Sequence, residues 1–285
     1  MRLADAGEFG LLAELERRGL VRGIEHDAAQ LPDNLVVTQD ALVEGVHFRL
    51  DWISWLDLGF RAAAVNLSDL AASGALPEAL IVSLAAPADT GLEDVLALYA
   101  GLNEPGVPVV GGDTTRADAL YLSVTALGRS ERVPGRAGAR PGDLLVVTGS
   151  LGAAGAAFRH ERFVRPPLRI DAGRQLARHA HAMLDLSDGI AQDAGHIAAR
   201  SGCRLVIELE RVPLSEGAEL DDLSFGEDYE LLAAVEGLSG SEPQIDLVGM
   251  TVVGRCEAGT GVELLLDNSP VSLGGWEHFG RSPLA

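Results

Sequence analysis

Apolar positions recur along this chain in two alternating rhythms. Short apolar or alternating runs at Asn34 to Thr38, Ala79 to Ala86, Val107 to Val110, Tyr121 to Leu127, Leu144 to Thr148, Arg204 to Leu209, Glu230 to Val235, Val248 to Gly254 and Val262 to Leu266 predict strands. Between them, Leu56 to Ala72, Gly91 to Leu102, Leu168 to Ala182 and Ile190 to Arg200 place apolar residues every three or four positions and predict helices. The result is a mixed α/β chain, neither a pure bundle nor a sandwich. Gly128 to Asp143 breaks both rhythms with Gly, Pro and Arg and reads as a linker, dividing the chain into a unit over 1–135 and a second over 136–285. Asn66-Leu67-Ser68-Asp69-Leu70 and Asp185-Leu186-Ser187-Asp188-Gly189 echo one another across that linker, a match short enough to be coincidence.

With 285 residues, 47% of them hydrophobic, the chain can bury a large core and is long for one domain. Cys203 and Cys256 stand apart from any CxxC or histidine cluster, which argues against a disulfide framework or a thiolate zinc site and fits a reducing cytoplasm. The N-terminal stretch from Ala4 to Gly19 mixes acidic and basic residues with apolar ones, as a soluble amphipathic helix does, and no apolar run approaches bilayer length.

Charge narrows the function. There are 22 basic residues against 42 acidic ones, a formal net charge of −20, which disfavours nucleic acid and anionic membranes as partners. Every basic residue is Arg, so a Walker lysine or a protein-kinase strand lysine is excluded. Any polyanionic substrate must be neutralised by metal ions and arginines.

Carboxylates are the candidates for holding those metals. Asp27, Asp40, Asp69, Asp113, Asp185 and Asp188 fall at predicted strand ends or helix starts, and hard divalent cations prefer such oxygen clusters. Taken singly, each reads as a helix cap or turn residue. Their shared placement at junctions, with Gly111 and Gly112 directly before Asp113, turns the reading towards a metal-lined phosphate site. Arg136 and Arg140 flank the linker and suit phosphate oxygens, though solvated arginines look the same in sequence. His47 reads as a base or a packing residue, Glu227, Asp228 and Glu230 as an acidic face or a strand entry, and Trp276 as a ring contact or a core residue.

The segments GIEHDAA, VVTQDALVEGVHF, LGFRAAAVNLSDLAASGALP, VVGGDTTR, GRAGARPGDLLVVTGSLG, LDLSDGIAQDAGHI, FGEDYELL and GGWEHFG, in this order, closely resemble the thiamine-monophosphate kinase family of the aminoimidazole-ribonucleotide-synthetase-like ATP-binding superfamily. The resemblance implies an N-terminal α/β domain whose sheet pairs across a homodimer and a C-terminal α/β domain packed on it. It also implies a direct transfer of the γ-phosphoryl group of ATP, as co-substrate, to thiamine monophosphate. By the same resemblance, Asp27, Thr38, Gln39, Asp40, Asp69, Asp113, Asp185 and Asp188 match positions around several magnesium ions. Tyr99, Gly112, Asp113, Arg136 and Ser187 match nucleotide contacts, and His47, Glu227 and Trp276 match contacts to thiamine phosphate. Asp113, Asp188 and Arg136 then carry the catalysis.

The chain departs from the family at Glu25-His26, where Gly-Asp is usual, at Gln39 in place of Thr, and at Phe225 in place of Gly. A non-catalytic or differently specific ATP-binding paralogue is the alternative those departures raise. Superfamily relatives that use a cysteine near one chain end, the hydrogenase-maturation dehydratases and selenophosphate synthetases, are disfavoured because neither end carries one here.

Overall fold

The computed structural model describes residues 2–21, 26–237 and 249–276. Glu25, Val248, the residues of GGWEHFG after Trp276 and the terminal RSPLA lie outside the described residues.

Helix α1 spans Leu3–Arg17 and is kinked at Gly7. It is followed by β1 (Ala29–Gln30), β2 (Leu35–Val43), α2 (Trp55–Ala72), β3 (Leu76–Ala86), α3 (Leu92–Asn103), β4 (Val109–Arg116) and β5 (Tyr121–Arg129). These strands form a five-stranded sheet in the order β1-β2-β5-β3-β4. The second half carries β6 (Leu144–Thr148), α4 (Ala153–Phe158), α5 (Ile170–Leu176), β7 (Ala180–Asp185), α6 (Ile190–Ser201), β8 (Arg204–Glu208), β9 (Leu231–Val235), β10 (Met250–Glu257), β11 (Gly261–Leu266) and β12 (Ser269–Val271). They build a seven-stranded sheet ordered β12-β11-β8-β10-β6-β9-β7.

Helix α2 starts where Ser54 accepts the Asp57 N–H at 3.1 Å, an N-cap that satisfies a donor the helix cannot. From Leu58 onwards it is buried almost all round, because one flank covers the five-stranded sheet and the other meets α5 and β7. A cluster joining Ala71 and Ala72 to Val146, Leu176 and Met183 carries the core from one sheet to the other. Helices α2 and α3 cross at backbone contact. A Cβ on Gly59 would lie 1.9 Å from the Leu98 carbonyl oxygen, and one on Gly101 would lie 1.9 Å from that of Leu56.

Three elements depart from the sequence expectation. The predicted helix from Leu168 to Ala182 is α5, a turn and then β7, because antiparallel pairing of Ala180 to Asp185 with β9 overrides the helical preference of an Ala-rich stretch. The strand expected at Val107 to Val110 begins at Val109 and continues through GGDTTR, so Asp113 sits within a strand opposite Ser83 and not after one. The strand expected at Asn34 to Thr38 likewise runs to Val43 and includes Asp40. Pairing with neighbouring strands carries the ladder across Gly and Asp residues that locally disfavour it.

Replacing Gly101 by Ala should lower unfolding stability by ~1–3 kcal/mol, because both groups it would strike are backbone of the facing helix. A urea titration with an unchanged midpoint would contradict the crossing.

Candidate active site

A cleft of about 630 Å³ opens between the two sheets. It is lined by Asp27, Thr38, Gln39, Asp40, His47 and Asp69 from the N-terminal half, and by Arg136, Asp185, Ser187, Asp188, Glu227 and Trp276 from the rest. Of the sequence-predicted residues, Tyr99, Gly112 and Asp113 do not line it. Tyr99 packs from α3 against the N-terminal core, and Gly112 and Asp113 lie exposed on β4, the outer strand of the five-stranded sheet.

One helix face organises the carboxylates. Arg61, Val65, Ser68 and Asp69 follow one another along α2 at the three- and four-residue spacing that puts side chains on one stripe. Thr38 donates its hydroxyl to Asp69 Oδ2 at 2.5 Å, and Ser68 donates to Asp185 Oδ2 at 2.6 Å. Asn66 accepts the Asp40 N–H at 3.0 Å while its own amide donates to the Ala62 carbonyl at 3.0 Å. Arg61 pairs with Glu227 across the two halves and lies 5.8 Å from the centre of the Phe163 ring.

Burial raises Asp69 well above the usual carboxylate range, and repulsion from Asp40, Asp185 and Asp27 raises it further. Asp185 is pushed up to about 8 by burial and then by Asp27, against the hydrogen bond from Ser68. Asp27 is also raised by burial, although Arg136 opposes this with two bonds to Oδ1 at 2.8 and 2.6 Å. The cluster thus resists carrying its full negative charge until positive charge arrives. Its donors are hydroxyl, carboxyl and amide oxygens, which suit a hard divalent cation. Among the described residues no three His, Cys, Asp or Glu side chains are grouped to hold a metal ion alone.

His47 Nδ1 accepts the Val43 N–H at 3.0 Å, so the neutral ring carries its proton on Nε2 and offers a donor, not a base. Gln39 donates its amide to Ser123 at 2.7 Å, leaving its carbonyl oxygen as the group suited to a cation. Glu227 and Tyr229 both have left-handed backbones, at φ 57° and 51°. The FGEDYE turn therefore holds uncommon conformations beside the cleft. Phe225 also lines the cleft, with its ring centre 4.8 Å from that of Phe158, which in turn lies 5.6 Å from Trp52.

Known proteins match this arrangement along almost the whole chain. The AIR synthase related protein N-terminal domain matches residues 25–130, and the AIR synthase related protein C-terminal domain matches residues 140–239. The thiamine-monophosphate kinase of Aquifex aeolicus is 33% identical over 98% of this chain and 100% of its own length. This chain belongs to the thiamine-monophosphate kinase family. The Salmonella typhimurium relative of that family is 35% identical over 96% of this chain and 98% of its own. The solved structure described as AaThiL complexed with AMPPCP and TMP superposes with a TM-score of 0.87 at 34% identity, covering 98% of this chain and 99% of the other. A hydrogenase maturation protein HypE in complex with ATP shares the fold, with a TM-score of 0.70 at 17% identity.

For a member of the thiamine-monophosphate kinase family, sequence reading missed Arg61, Tyr229, Trp52 and Phe158 and named Phe225 only as a departure from the family, and all five line the cleft. Arg61 had a readable signal, a charge inside the apolar run LGFRAAAV. Trp52 and Phe158 had none, because they converge from separate segments.

Beside Glu227, Asp228 accepts the Gly152 N–H at 2.7 Å, and burial pushes it up to about 7. A carboxyl whose folded value lies above its unfolded one binds more protons when folded, so its contribution to stability falls as pH rises from about 4 to 7. Asp228→Asn should flatten the stability-against-pH curve in that window by at most about 1.4 kcal/mol per pH unit. Identical slopes for the two proteins in denaturant titrations would rule this out.

Proposed function

We infer that this chain phosphorylates thiamine monophosphate with ATP to give thiamine diphosphate. The observation that carries the reading is full-length likeness to thiamine-monophosphate kinases, including a relative solved with AMPPCP and TMP, together with a carboxylate-rich cleft at the meeting of the two sheets.

Phosphoryl transfer depends on positioning and charge neutralisation more than on covalent chemistry by the protein. Asp27, Thr38, Gln39, Asp40, Asp69, Asp185 and Asp188 in the cleft, with Asp113 from outside the chain's own cleft, would hold several magnesium ions, which would supply positive charge to the phosphates of both substrates. Arg136, two of whose nitrogens bond Asp27 Oδ1 here, is the cation for the nucleotide, with Ser187 beside it in the cleft; Gly112 and Tyr99, outside the chain's own cleft, stay nucleotide contacts by the family resemblance alone. His47 Nε2, Glu227 and the Trp276 ring contact the acceptor. A phosphate monoester arrives largely ionised near neutral pH, so its oxygen attacks in line without a strong protein base.

Residues 1–135 form the ATP, metal and dimerisation unit and residues 136–285 the second α/β unit in this reading. Strand β4 supports a homodimer: it is an outer strand, exposed along nearly all its length, and it carries Gly112 and Asp113 away from the chain's own cleft. A partner's sheet pairing near β4 would bring those residues to an active site. The expected place of work is the cytoplasm. Among the described residues, no helix is long and apolar enough to cross a membrane.

Incubation with ATP, magnesium and thiamine monophosphate should yield thiamine diphosphate, whereas thiamine, lacking the phosphate handle, should stay unphosphorylated. Turnover of thiamine at a comparable rate, or a labelled phosphoenzyme after ATP alone, would overturn the direct transfer.

Asp113→Asn and Asp188→Asn should each lower kcat by on the order of 10²-fold or more while the protein stays folded by circular dichroism. Light scattering should give twice the chain mass. Near-normal turnover in both variants would remove the metal-cleft reading, and a fully active monomer would remove the shared site.

A further inference from the structure

Asp188 is held from three directions by groups the phosphoryl transfer does not itself require. Its backbone N–H donates to Asp193 Oδ2 at 3.0 Å, and its backbone carbonyl accepts the Trp276 N–H at 3.0 Å. Its side-chain Oδ2 accepts the Gln192 amide at 3.3 Å. The same Gln192 Nε2 donates to the Trp276 carbonyl at 2.7 Å. Gln192 lies in the first turn of α6, one helical turn after Asp188, and this spacing turns its side chain back onto the loop. Trp276 is remote in sequence, at the end of a segment that follows the last strand.

The approach of that segment is close. A Cβ on Gly275 would lie 2.5 Å from Gln192 Oε1, 2.7 Å from Gln192 Cβ and 3.0 Å from the Asp188 carbonyl oxygen. Gly275 is the residue that lets the Trp276 backbone seat on the loop, and Gln192 is the side chain that grips it there. One amide group spans a carboxylate of the phosphoryl-transfer centre and the backbone of the residue whose ring walls the acceptor.

We propose that Gln192 is a positioning residue that fixes the distance between the Trp276 ring and the Asp188 carboxylate, so that seating the thiamine rings delivers the acceptor phosphate to the transfer centre. This rests on the proposed function, in which Trp276 meets the acceptor and Asp188 the metal-bound phosphates. Trp276 sets where the rings lie, Asp188 sets where charge is neutralised, and only a fixed spacing lets one substrate satisfy both. Loss of a 1 Å register of this kind is enough to slow a reaction whose rate depends on alignment.

The test is steady-state kinetics of full-length Gln192→Leu and Gly275→Ala with ATP, magnesium and thiamine monophosphate. Loss of one hydrogen-bonding clamp should raise the KM for thiamine monophosphate by about tenfold and lower kcat by about threefold, leaving the KM for ATP within about twofold. Gly275→Ala should move the same constants in the same direction, since its methyl group displaces the Gln192 amide. A general loss of structure would instead move all constants and the melting temperature together. In a Trp276→Ala background, Gln192→Leu should change the acceptor KM by less than about twofold, because the ring it positions is gone. An unchanged acceptor KM in Gln192→Leu, or the same factor with and without the Trp276 ring, would overturn the link. If Gln192→Leu does not fold, Gly275→Ala alone and combined with Trp276→Ala decides by the same criteria. Wild-type protein that forms no thiamine diphosphate would instead overturn the function on which the proposal rests.

Discussion

Because α2 is buried almost all round, its polar residues cannot be solvated independently, and each must find a partner in whichever half of the molecule it faces. Arg61 reaches Glu227, Asn66 takes the Asp40 backbone, Ser68 holds Asp185, and Asp69 receives Thr38. Each of these bonds ends on a residue of the cleft, or on its backbone. The helix that joins the two cores is thus also the frame that spaces the carboxylates. Packing that fixes α2 by backbone contact with α3 fixes the site as well.

That frame explains how an acidic chain with no lysine can gather so many carboxylates in one place. Hydroxyl donors from Thr38 and Ser68 orient Asp69 and Asp185 without cancelling their charge, Asn66 holds the Asp40 backbone, and Arg136 at Asp27 and Arg61 at Glu227 supply direct counter-charge. Burial and mutual repulsion then hold Asp69 and Asp185 well above the usual carboxylate range, which stores a demand for cations. A lysine in such a place would satisfy that demand permanently, whereas in the proposed function metal ions arriving with phosphates would satisfy it only when substrate is present.

Much of this was legible in the sequence where a local rule and the tertiary environment agree. Helix α2 was read to within one residue, because its apolar period marks it. Asp27, Asp40, Asp69, Asp185 and Asp188 were all named and all line one cleft. Their placement at strand ends was less well read: Asp40 lies inside β2 and Asp69 inside α2, and the cleft forms where the elements meet instead of at their junctions. Strand β7 was read as helix because Ala-rich sequence favours helix locally and only pairing with β9 reverses it. The grip of Gln192 on Trp276 had no sequence signal at all, since an amide on a polar helix turn looks like solvent-facing surface.

The exposed β4 strand is where the sequence motif and the cleft of a single chain part company. Asp113 lies in a motif that resembles a metal and nucleotide contact, yet it does not line the cleft that collects the other carboxylates. Moving it inward within one chain would require breaking the parallel pairing of β4 with β3, in which Asp113 is in register with Ser83. An outer strand with unpaired backbone groups can be covered by a second copy at no such cost. In the proposed dimer, the same geometry that leaves the edge open makes pairing between two chains an economical way to bring Asp113 to a site, and a change that weakened pairing near β4 would then withdraw Asp113 without touching the cleft itself.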